Sequence, residues 1–183
     1  MSNPLVDALA YVRQDFASGG IHTSPEVRML MYSLCVGLRA KEVLELGFDQ
    51  GYTTMALAAS GAHVVGVDIA MTDLARTMVS GYPNCELVRE EAEHFLVQAQ
   101  DNFYDLVFVD DHHREDHVRS EAEMLRNKIK PGGIIVFHDV LFHSYIWTII
   151  ESVYSDWQKI CLPCISLMLT DRDMGLGLVR RPL

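Results

Sequence analysis

The chain has 183 residues, of which 49% are hydrophobic and 22% charged, as in an ordinary globular protein that can bury one core. Its formal net charge of −10 and the lack of a basic cluster argue against a nucleic-acid partner, because phosphate contacts depend on Lys and Arg. No apolar run approaches the roughly 20 residues of a membrane helix, and no signal peptide is evident. We therefore expect a cytoplasmic protein without a membrane partner, whose cysteines, including the closely spaced Cys161 and Cys164, are reduced packing residues.

Short apolar runs alternate with helical patterns along the chain. The patterns predict a helix over about 4–17, a break at 18–20, and a helix from the capping box at 23–26 to about Ala40. Five strands are predicted near 42–47, 62–68, 85–89, 104–110 and 133–139. Helices are predicted between them, near 51–60, 71–80, 91–100 and 115–129. A last helix at about 143–158 precedes two apolar segments joined by residues 170–173, which resemble an antiparallel hairpin.

This alternation predicts an α/β fold with a Rossmann-like, doubly wound, mostly parallel seven-stranded sheet. The strands are short continuous apolar runs, such as "YDLVFVD", which are typical of strands buried on both faces. Helices are therefore expected on both faces, with the antiparallel hairpin at the C-terminal end of the chain. We expect a single domain over residues 1–183, in which the N-terminal helices of residues 1–40 contribute to a substrate cap.

Acidic residues recur at the ends of four predicted strands. Asp68, Asp110 and Asp139 each terminate a strand, and Glu45 stands two residues before the glycine that ends the first strand. Ligands of open α/β sheets bind outside the carboxyl ends of the strands, so these acids should converge on one edge. A single strand-end acid is often only a helix cap, but four in register favour a ligand site.

The first strand leads into a glycine turn, "GFDQGY", which two cofactor classes could use. Dinucleotide binding wants Gly-x-Gly-x-x-Gly, and Asp49 and Tyr52 stand at the second and third glycine positions, so an NAD-dependent oxidoreductase is disfavoured. S-adenosylmethionine has no phosphate and tolerates an acidic turn. Gly47 would let the backbone approach this ligand, and Asp68 would accept hydrogen bonds from both ribose hydroxyls.

These motifs resemble the class I S-adenosylmethionine-dependent methyltransferases, and most closely the catechol and caffeoyl-CoA O-methyltransferase group with its short bacterial relatives. The similarity runs from about His22 to Asp139 through "TSPEVRMLMYSL", "AKEVLELGFDQGYTTMALA", "REEAEHFL" and "IKPGGIIVFHD". It implies these cofactor-binding residues: Glu45, Gly47, Phe48, Gly51, Tyr52 and Thr53 for the methionine part, Asp68 and Ile69 for the ribose and adenine, Glu91 and Ala92 for the adenine edge, and Asp110. The chain departs from the group at Val27-Arg28, where Gly-Gln is usual, and at Asp49.

The segment after the fourth strand, "FVDDHHREDH", carries the candidate catalytic residues. The resemblance places Asp110 at the group's aspartate and His113 where the group has a lysine base. A histidine is a competent base near neutral pH, although a solvated loop histidine is the plainer alternative. The segment lacks the Asn/Asp-Pro-Pro-Tyr motif of amino-methyltransferases, which favours oxygen as the methyl acceptor.

The resemblance also implies a divalent metal, held in the group by two aspartates and an asparagine. Asp110 and Asp139 match the aspartates, while Val140 stands at the asparagine and cannot ligate through its side chain. A metal bound here should be weaker than in the group, and nearby histidines such as His113, His138 and His143 would favour manganese or zinc over magnesium. His113 and His117 would share one face if that segment were helical.

The sequence thus favours O-methylation of a small molecule by an S-adenosylmethionine-dependent enzyme. The acceptor pocket is expected near residues 20–22 and near Phe142, Tyr145 and Trp147. A nitrogen- or carbon-directed transferase of the same fold, or a cofactor-binding protein that has lost catalysis, stays an alternative. The acceptor's identity and the existence of a homodimer are left open.

Overall fold

The structure is a computed structural model that describes residues 23–163 and 174–183. Six helices are found in these ranges: α1 (Pro25–Leu38), α2 (Tyr52–Ala59), α3 (Asp73–Val79), α4 (Ala92–Gln98), α5 (Glu115–Lys128) and α6 (Ser144–Val153). The strands are β1 (Glu42–Leu46), β2 (His63–Asp68), β3 (Cys85–Arg89), β4 (Tyr104–Val109), β5 (Ile129–Phe137), β6 (Gln158–Leu162) and β7 (Leu176–Arg180). None of the described helices has both the length and the apolar composition needed to cross a membrane.

The seven strands form one sheet in the order β3-β2-β1-β4-β5-β7-β6. Strands β1 to β5 are parallel, and β7 pairs antiparallel with both β5 and β6. The strand order reverses between β1 and β4, which is the position where doubly wound sheets bind their ligands. The predicted fold class and the antiparallel pairing of the last two strands are confirmed, while the link predicted at 170–173 lies outside the described residues.

Two hydrophobic cores cover the two faces of this sheet. One core packs α4, α5 and α6 on one face through residues such as Leu96, Leu125 and Ile149, and the other packs α1 and α2 on the opposite face through residues such as Met31 and Leu57. Because both faces are covered, most residues of the central strands are apolar. The polar ones lie near the strand ends, with Glu42 and Asp105 at the amino edge and Glu45 one residue before the end of β1 at the carboxyl edge.

Several predicted boundaries differ from the observed ones. Ser24, and not Thr23, caps α1, because the Ser24 hydroxyl accepts a hydrogen bond from the backbone N–H of Val27 at 3.4 Å. The last helix ends at Val153 instead of about 158, since β6 starts at Gln158 and pairs with β7. Strand β5 begins at Ile129, not 133, and a register shift next to Tyr104 accommodates the extra residues.

The candidate site segments also end differently from the prediction. Asp110 follows β4 directly, and β5 ends at Phe137, so His138 and Asp139 lie in the turn after the strand. His113 precedes α5, which starts at Glu115, so the conditional idea that His113 and His117 share one helical face is wrong. The predicted helix over 4–17 and residues 20–22 of the expected acceptor pocket lie outside the described residues.

Candidate active site

The glycine turn after β1 is pressed against the segment that follows β4. Gly47 adopts φ +85°, and its N–H donates to the carbonyl oxygen of Val67 at 2.8 Å, while the N–H of Asp110 donates to Leu46 at 2.8 Å. A Cβ on Gly47 would lie 2.4 Å from the carbonyl oxygen of Asp110 and 2.6 Å from the Cα of Asp111. Glycine is therefore required by the chain's own backbone, a steric partner that the sequence did not reveal.

Gly51, the second glycine of the turn, is required for its own reasons. It adopts φ +83° as the N-cap of α2, a conformation that favours glycine, and a Cβ there would approach the backbone of Ala75 to 3.3 Å. The turn between the two glycines contains Asp49 at φ +42°. Asn and Asp are among the few residues that tolerate this region, which explains an acid inside a glycine turn.

Asp68, at the end of β2, holds this turn. Its Oδ2 accepts a hydrogen bond from the N–H of Asp49 at 2.9 Å, and its Oδ1 accepts one from the N–H of Ala70 at 2.8 Å. A carboxylate offers about four acceptor positions, so lone pairs remain for two ribose hydroxyls. The next residue, Ile69, is 63% exposed and could cover an apolar ring. The placement of Asp68 and Ile69 fits their predicted roles and adds a structural role for Asp68.

Glu45 is buried beneath the turn, with only 1% of its surface exposed. Burial raises its pKa to about 8, the nearby hydroxyl of Thr54 lowers it, and the charges of Asp110 and Asp68 raise it further. Its Oε2 has no hydrogen-bond partner among the described residues. A buried acceptor without a donor is costly, and the ammonium group of a bound amino acid would satisfy it. Glu45 thus fits the methionine end of S-adenosylmethionine.

The other predicted cofactor residues surround this edge with different degrees of access. Phe48 is 3% exposed and packs against Gly66 of β2, so its contribution to a ligand would come from its backbone. Tyr52 packs with Met55 and Met78, and the guanidinium carbon of Arg28 lies 4.6 Å above its ring. The hydroxyl oxygen of Thr53 lies 2.6 Å from that of Thr23. Glu91 occupies the N-cap position of α4 without a side-chain cap hydrogen bond, and Ala92, the first residue of that helix, is buried.

Four residues after β4 and β5 form what we call the strand-end cluster: Asp110, His113, His138 and Asp139. Nε2 of His113 lies 3.2 Å from Oδ2 of Asp139, and Nδ1 of His138 lies 3.1 Å from Asp110 Oδ1 and 3.0 Å from Asp139 Oδ1. Asp139 is held at φ +58°, a conformation that non-glycine residues adopt at an energetic cost. The sequence placed Asp110 and Asp139 together correctly, but it did not show that His138 bridges them.

Charge pairing governs the protonation of this cluster. Burial lowers the pKa of His138, but the charges and hydrogen bonds of Asp110 and Asp139 raise it by more, so that it lies well above the ordinary value. The same balance leaves the pKa of His113 raised, with burial lowering it and Asp139 and Asp110 raising it. Burial raises the pKa of Asp139, but hydrogen bonds from His113 and His138 bring it well below its usual range. The imidazolium of His138 therefore supplies positive charge between the two carboxylates, of which that of Asp139 is buried.

A divalent ion would find three donors in this cluster. Ligand atoms of Asp110, His113 and Asp139 lie within 4.8 Å of one another. One nitrogen and two oxygen donors fit zinc or manganese better than magnesium, which prefers oxygen. Val140 is fully buried in the hydrophobic core and cannot add a ligand. The donor set fits a metal, and metal binding by Asp110 and Asp139 stays a prediction.

Aromatic side chains lie next to His113 at the expected acceptor side. The ring of His143 stacks on His113 with centroids 4.9 Å apart, and Phe142, 41% exposed, contacts His143 edge-on at 4.7 Å. The hydroxyl of Tyr145 donates a hydrogen bond to the backbone carbonyl of His113. Trp147 is partly buried and packs against the hydrophobic core, next to Gly177 of β7, and its place in the acceptor pocket stays a prediction.

Comparison with known proteins places this site in a family. Residues 44–140 match the sequence profile of a family described as "methyltransferase domain". The ubiquinone biosynthesis O-methyltransferase of Coxiella burnetii is 28% identical over 142 residues, which cover 73% of this chain and 59% of that protein. The chain therefore spans less than two thirds of the length of this curated relative.

Solved structures share the fold at lower sequence identity. The O-methyltransferase TomG from Streptomyces achromogenes, solved with S-adenosylmethionine, superimposes with a TM-score of 0.78 at 18% identity, covering 100% of this chain and 91% of that one. An O-methyltransferase from Bacillus cereus, solved with S-adenosylhomocysteine, gives a TM-score of 0.74 at 17% identity, covering 99% and 92%. The profile match spans more than half of the chain, so the chain belongs to the methyltransferase-domain family and its predicted relationship to the class I methyltransferases is confirmed.

Proposed function

We propose that the protein transfers a methyl group from S-adenosylmethionine to a hydroxyl group of a small molecule. The observation that carries this proposal is the pair formed by His113 and Asp139, whose Nε2 and Oδ2 atoms are 3.2 Å apart at the carboxyl edge of the sheet. A base oriented by a carboxylate is what a hydroxyl acceptor requires, because the hydroxyl must lose its proton during transfer. The similarity to proteins named as O-methyltransferases supports oxygen as the acceptor atom.

The cofactor would lie over the glycine turn between β1 and β4. The carboxylate of Glu45 binds its ammonium group, and Asp68 binds its ribose hydroxyls while keeping the N–H of Asp49 in place. S-adenosylmethionine supplies a methyl group activated by its sulfonium charge. The protein's task is then to align the acceptor oxygen with this methyl group, because the displacement is in line.

His113 receives the acceptor's proton in this proposal. With its Nε2–H directed to Asp139, the neutral imidazole presents Nδ1 as the proton acceptor. Asp139 fixes this tautomer, and Tyr145 fixes the backbone of His113 through its carbonyl oxygen. Phe142 and His143 form the aromatic side of the acceptor pocket, which suits a planar or apolar substrate.

A metal at Asp110, His113 and Asp139 is the second way to activate the hydroxyl. An ion held by these residues would lower the pKa of the acceptor hydroxyl as a Lewis acid. His138 is not one of the three donors, and its positive charge between Asp110 and Asp139 would repel an ion, which favours the metal-free arrangement. We therefore assign the proton transfer to His113.

The remaining properties follow from the sequence and the family. We infer that residues 1–183 form one methyltransferase domain of a cytoplasmic enzyme, in which residues 1–40 contribute to the substrate cap. The net charge of −10 speaks against nucleic acid as a partner. The similarity to a ubiquinone biosynthesis O-methyltransferase supports a small molecule as the methyl acceptor. Sedimentation of the purified chain tests whether it forms a homodimer.

Calorimetric titration tests the cofactor assignment directly. The protein should bind S-adenosylhomocysteine, while NAD and ATP, at the same concentrations, should give no heat beyond dilution. A metabolite screen that follows formation of S-adenosylhomocysteine then tests the acceptor class, with phenolic and sugar hydroxyls compared with amines. Binding of NAD in place of S-adenosylhomocysteine, or turnover on amines alone, would overturn the proposal.

A further inference from the structure

A second group of ligating side chains lies on the other side of the loop that carries Asp110. Asp111 follows Asp110 in this loop, and His117 and Glu121 stand one turn apart on α5 and so project from the same face of the helix. We call these three residues the helix cluster. Their ligand atoms lie within 4.8 Å of one another, although none of them belongs to the strand-end cluster.

The distances within the helix cluster match the edge of a tetrahedral coordination shell. Nε2 of His117 lies 3.3 Å from Oδ2 of Asp111 and 3.2 Å from Oε1 of Glu121. Ligands bound to zinc at about 2.0–2.1 Å in a tetrahedron are separated by about 3.3 Å. Nε2 of His117 therefore lies as far from each of the two carboxylate oxygens as two ligands of one zinc ion lie from each other.

Glu121 provides an independent sign that a cation is needed. Its side chain is 0% exposed, and neither of its oxygens accepts a hydrogen bond in the described part of the chain. Two carboxyl groups, those of Glu121 and Asp111, face the one imidazole of His117, so the cluster would carry more negative than positive charge with both acids ionised. Burying a carboxylate without donors is strongly unfavourable, and a divalent cation removes that cost.

The second nitrogen of His117 has the outer partner that metal-bound histidines commonly have. Nδ1 of His117 lies 3.3 Å from Oε2 of Glu93, on the neighbouring helix α4. A carboxylate in this position accepts a hydrogen bond from Nδ1–H, which fixes the tautomer that leaves the Nε2 lone pair for a metal. The carboxylate of Glu93, the imidazole of His117 and the candidate ion would then lie in contact in that order.

We propose that Asp111, His117 and Glu121 bind a divalent transition-metal ion, with zinc preferred, and that Glu93 orients His117 from outside the coordination shell. One nitrogen and two carboxylate oxygens are donors that zinc accepts, and a water molecule completes the fourth position. The ion joins the loop after β4 to α5, so it stabilises the segment between Asp110 and His113. None of its three ligands takes part in the proposed methyl transfer, and the site does not rest on the proposed function.

Zinc titration of the chelator-stripped protein tests this site. The strand-end cluster could take up zinc as well, so the parent protein carries Asp139→Asn, which exchanges one of that cluster's two carboxylates for a neutral amide that binds zinc weakly. We expect this parent to bind one equivalent of zinc, with Glu121→Gln weakening binding at least tenfold and Glu93→Gln weakening it about 10–100-fold. Glu123→Gln, at an exposed position two residues along α5, is the matched control and should bind zinc as the parent does.

Two further measurements keep the test decisive. In the natural chain, Glu121→Gln should lower the zinc stoichiometry by one equivalent, and zinc should raise the melting temperature of the natural chain but raise that of Glu121→Gln less. Absence of zinc binding by the Asp139→Asn parent, or equal affinity of the parent and Glu121→Gln, would overturn the proposal. Glu121 would then be a protonated, metal-free acid beside His117.

Discussion

Replacement of Gly47 by alanine tests the contact between the cofactor turn and the segment after β4. The new Cβ would lie 2.4 Å from the carbonyl oxygen of Asp110 and 2.6 Å from the Cα of Asp111, both backbone atoms that cannot rotate away. The φ of +85° at Gly47 adds about 1–2 kcal/mol of strain for a residue with a Cβ. Forcing atoms into a packed region typically adds about 1–3 kcal/mol, so Gly47→Ala should lose about 2–5 kcal/mol of unfolding free energy.

Gly61→Ala is the matched control for this substitution. Gly61 has nearly the same φ, +87°, but a Cβ there would meet nothing within 4 Å. Both variants therefore share the conformational strain and the reduced entropy of the unfolded chain, and only Gly47→Ala carries the steric overlap. The difference between the two losses of free energy should be about 1–3 kcal/mol, which is the overlap alone.

Urea unfolding followed by circular dichroism measures both losses. Titration of S-adenosylhomocysteine into the folded variants should show weaker binding by Gly47→Ala, because the turn and the Asp110 segment must move apart to make room for the alanine Cβ. Gly61→Ala should bind as the natural chain does, since Gly61 lies at the far end of α2. Equal loss of stability in the two variants would refute the reasoning and leave Gly47 with a conformational role only.

Four further predictions concern the cofactor and the strand-end cluster. Asp68→Ala should weaken S-adenosylhomocysteine binding at least tenfold, since a hydrogen bond to a charged group contributes about 1.5–3 kcal/mol, and Asp68→Asn should lose less stability because it can still accept from Asp49. His113→Gln should lower turnover about 10²–10⁴-fold with S-adenosylhomocysteine affinity unchanged, and full turnover would return His113 to a solvated loop residue. Glu45, with a pKa raised to about 8 by burial, is protonated at pH 7, so cofactor binding should release a proton, seen as a buffer-dependent heat that Glu45→Gln abolishes. Chelation should leave measurable turnover, and zinc or manganese should bind Asp110 and Asp139 more tightly than magnesium; the reverse order would exclude imidazole ligands.

The pH dependence of stability gives Glu45 a second readout. The carboxyl group of Glu45 has a pKa of about 8 in the folded chain and 4.5 in the unfolded chain. Between these two pH values the folded chain keeps a proton that the unfolded chain has released. Its contribution to stability is therefore complete below about pH 4.5 and is lost as the pH rises through about 8. Glu45→Gln should flatten this decline, while Glu42→Gln, at a partly exposed site in the same strand, should leave it in place.

The sheet and its acidic edge were predictable because they depend on local patterns. Apolar runs of four to seven residues that alternate with helical periods leave few arrangements other than a parallel doubly wound sheet. In such a sheet the carboxyl ends of the strands meet, so Asp68 and Asp110 had to converge near Glu45. The structure agrees, since the charges of both aspartates act on the protonation of Glu45.

The partners of individual loop side chains were not predictable. Which way His113 and His117 point depends on where α5 begins, and the sequence "DDHHREDHVRSE" places no clear cap before Glu115. The bridging position of His138 depends on the turn at Asp139, whose positive φ has no sequence signal comparable to a glycine. The sequence paired His117 with His113, whereas in the structure His117 shares a face of α5 with Glu121, and Asp111 joins them only through the tertiary fold.

The backbone of Asp110 and Asp111 connects the cofactor turn, the strand-end cluster and the helix cluster. Asp110 faces His138 on one side, and Asp111 faces His117 on the other, while Gly47 packs against the backbone of both. A change in the helix cluster can reach the cofactor only by displacing this backbone, which the N–H of Asp110 anchors to β1 at 2.8 Å. A change at Gly47 displaces it directly. Loss of the helix cluster should therefore act on the positioning of His113, which lies two residues after Asp111 and is held through its carbonyl by the Tyr145 hydroxyl, before it acts on cofactor affinity.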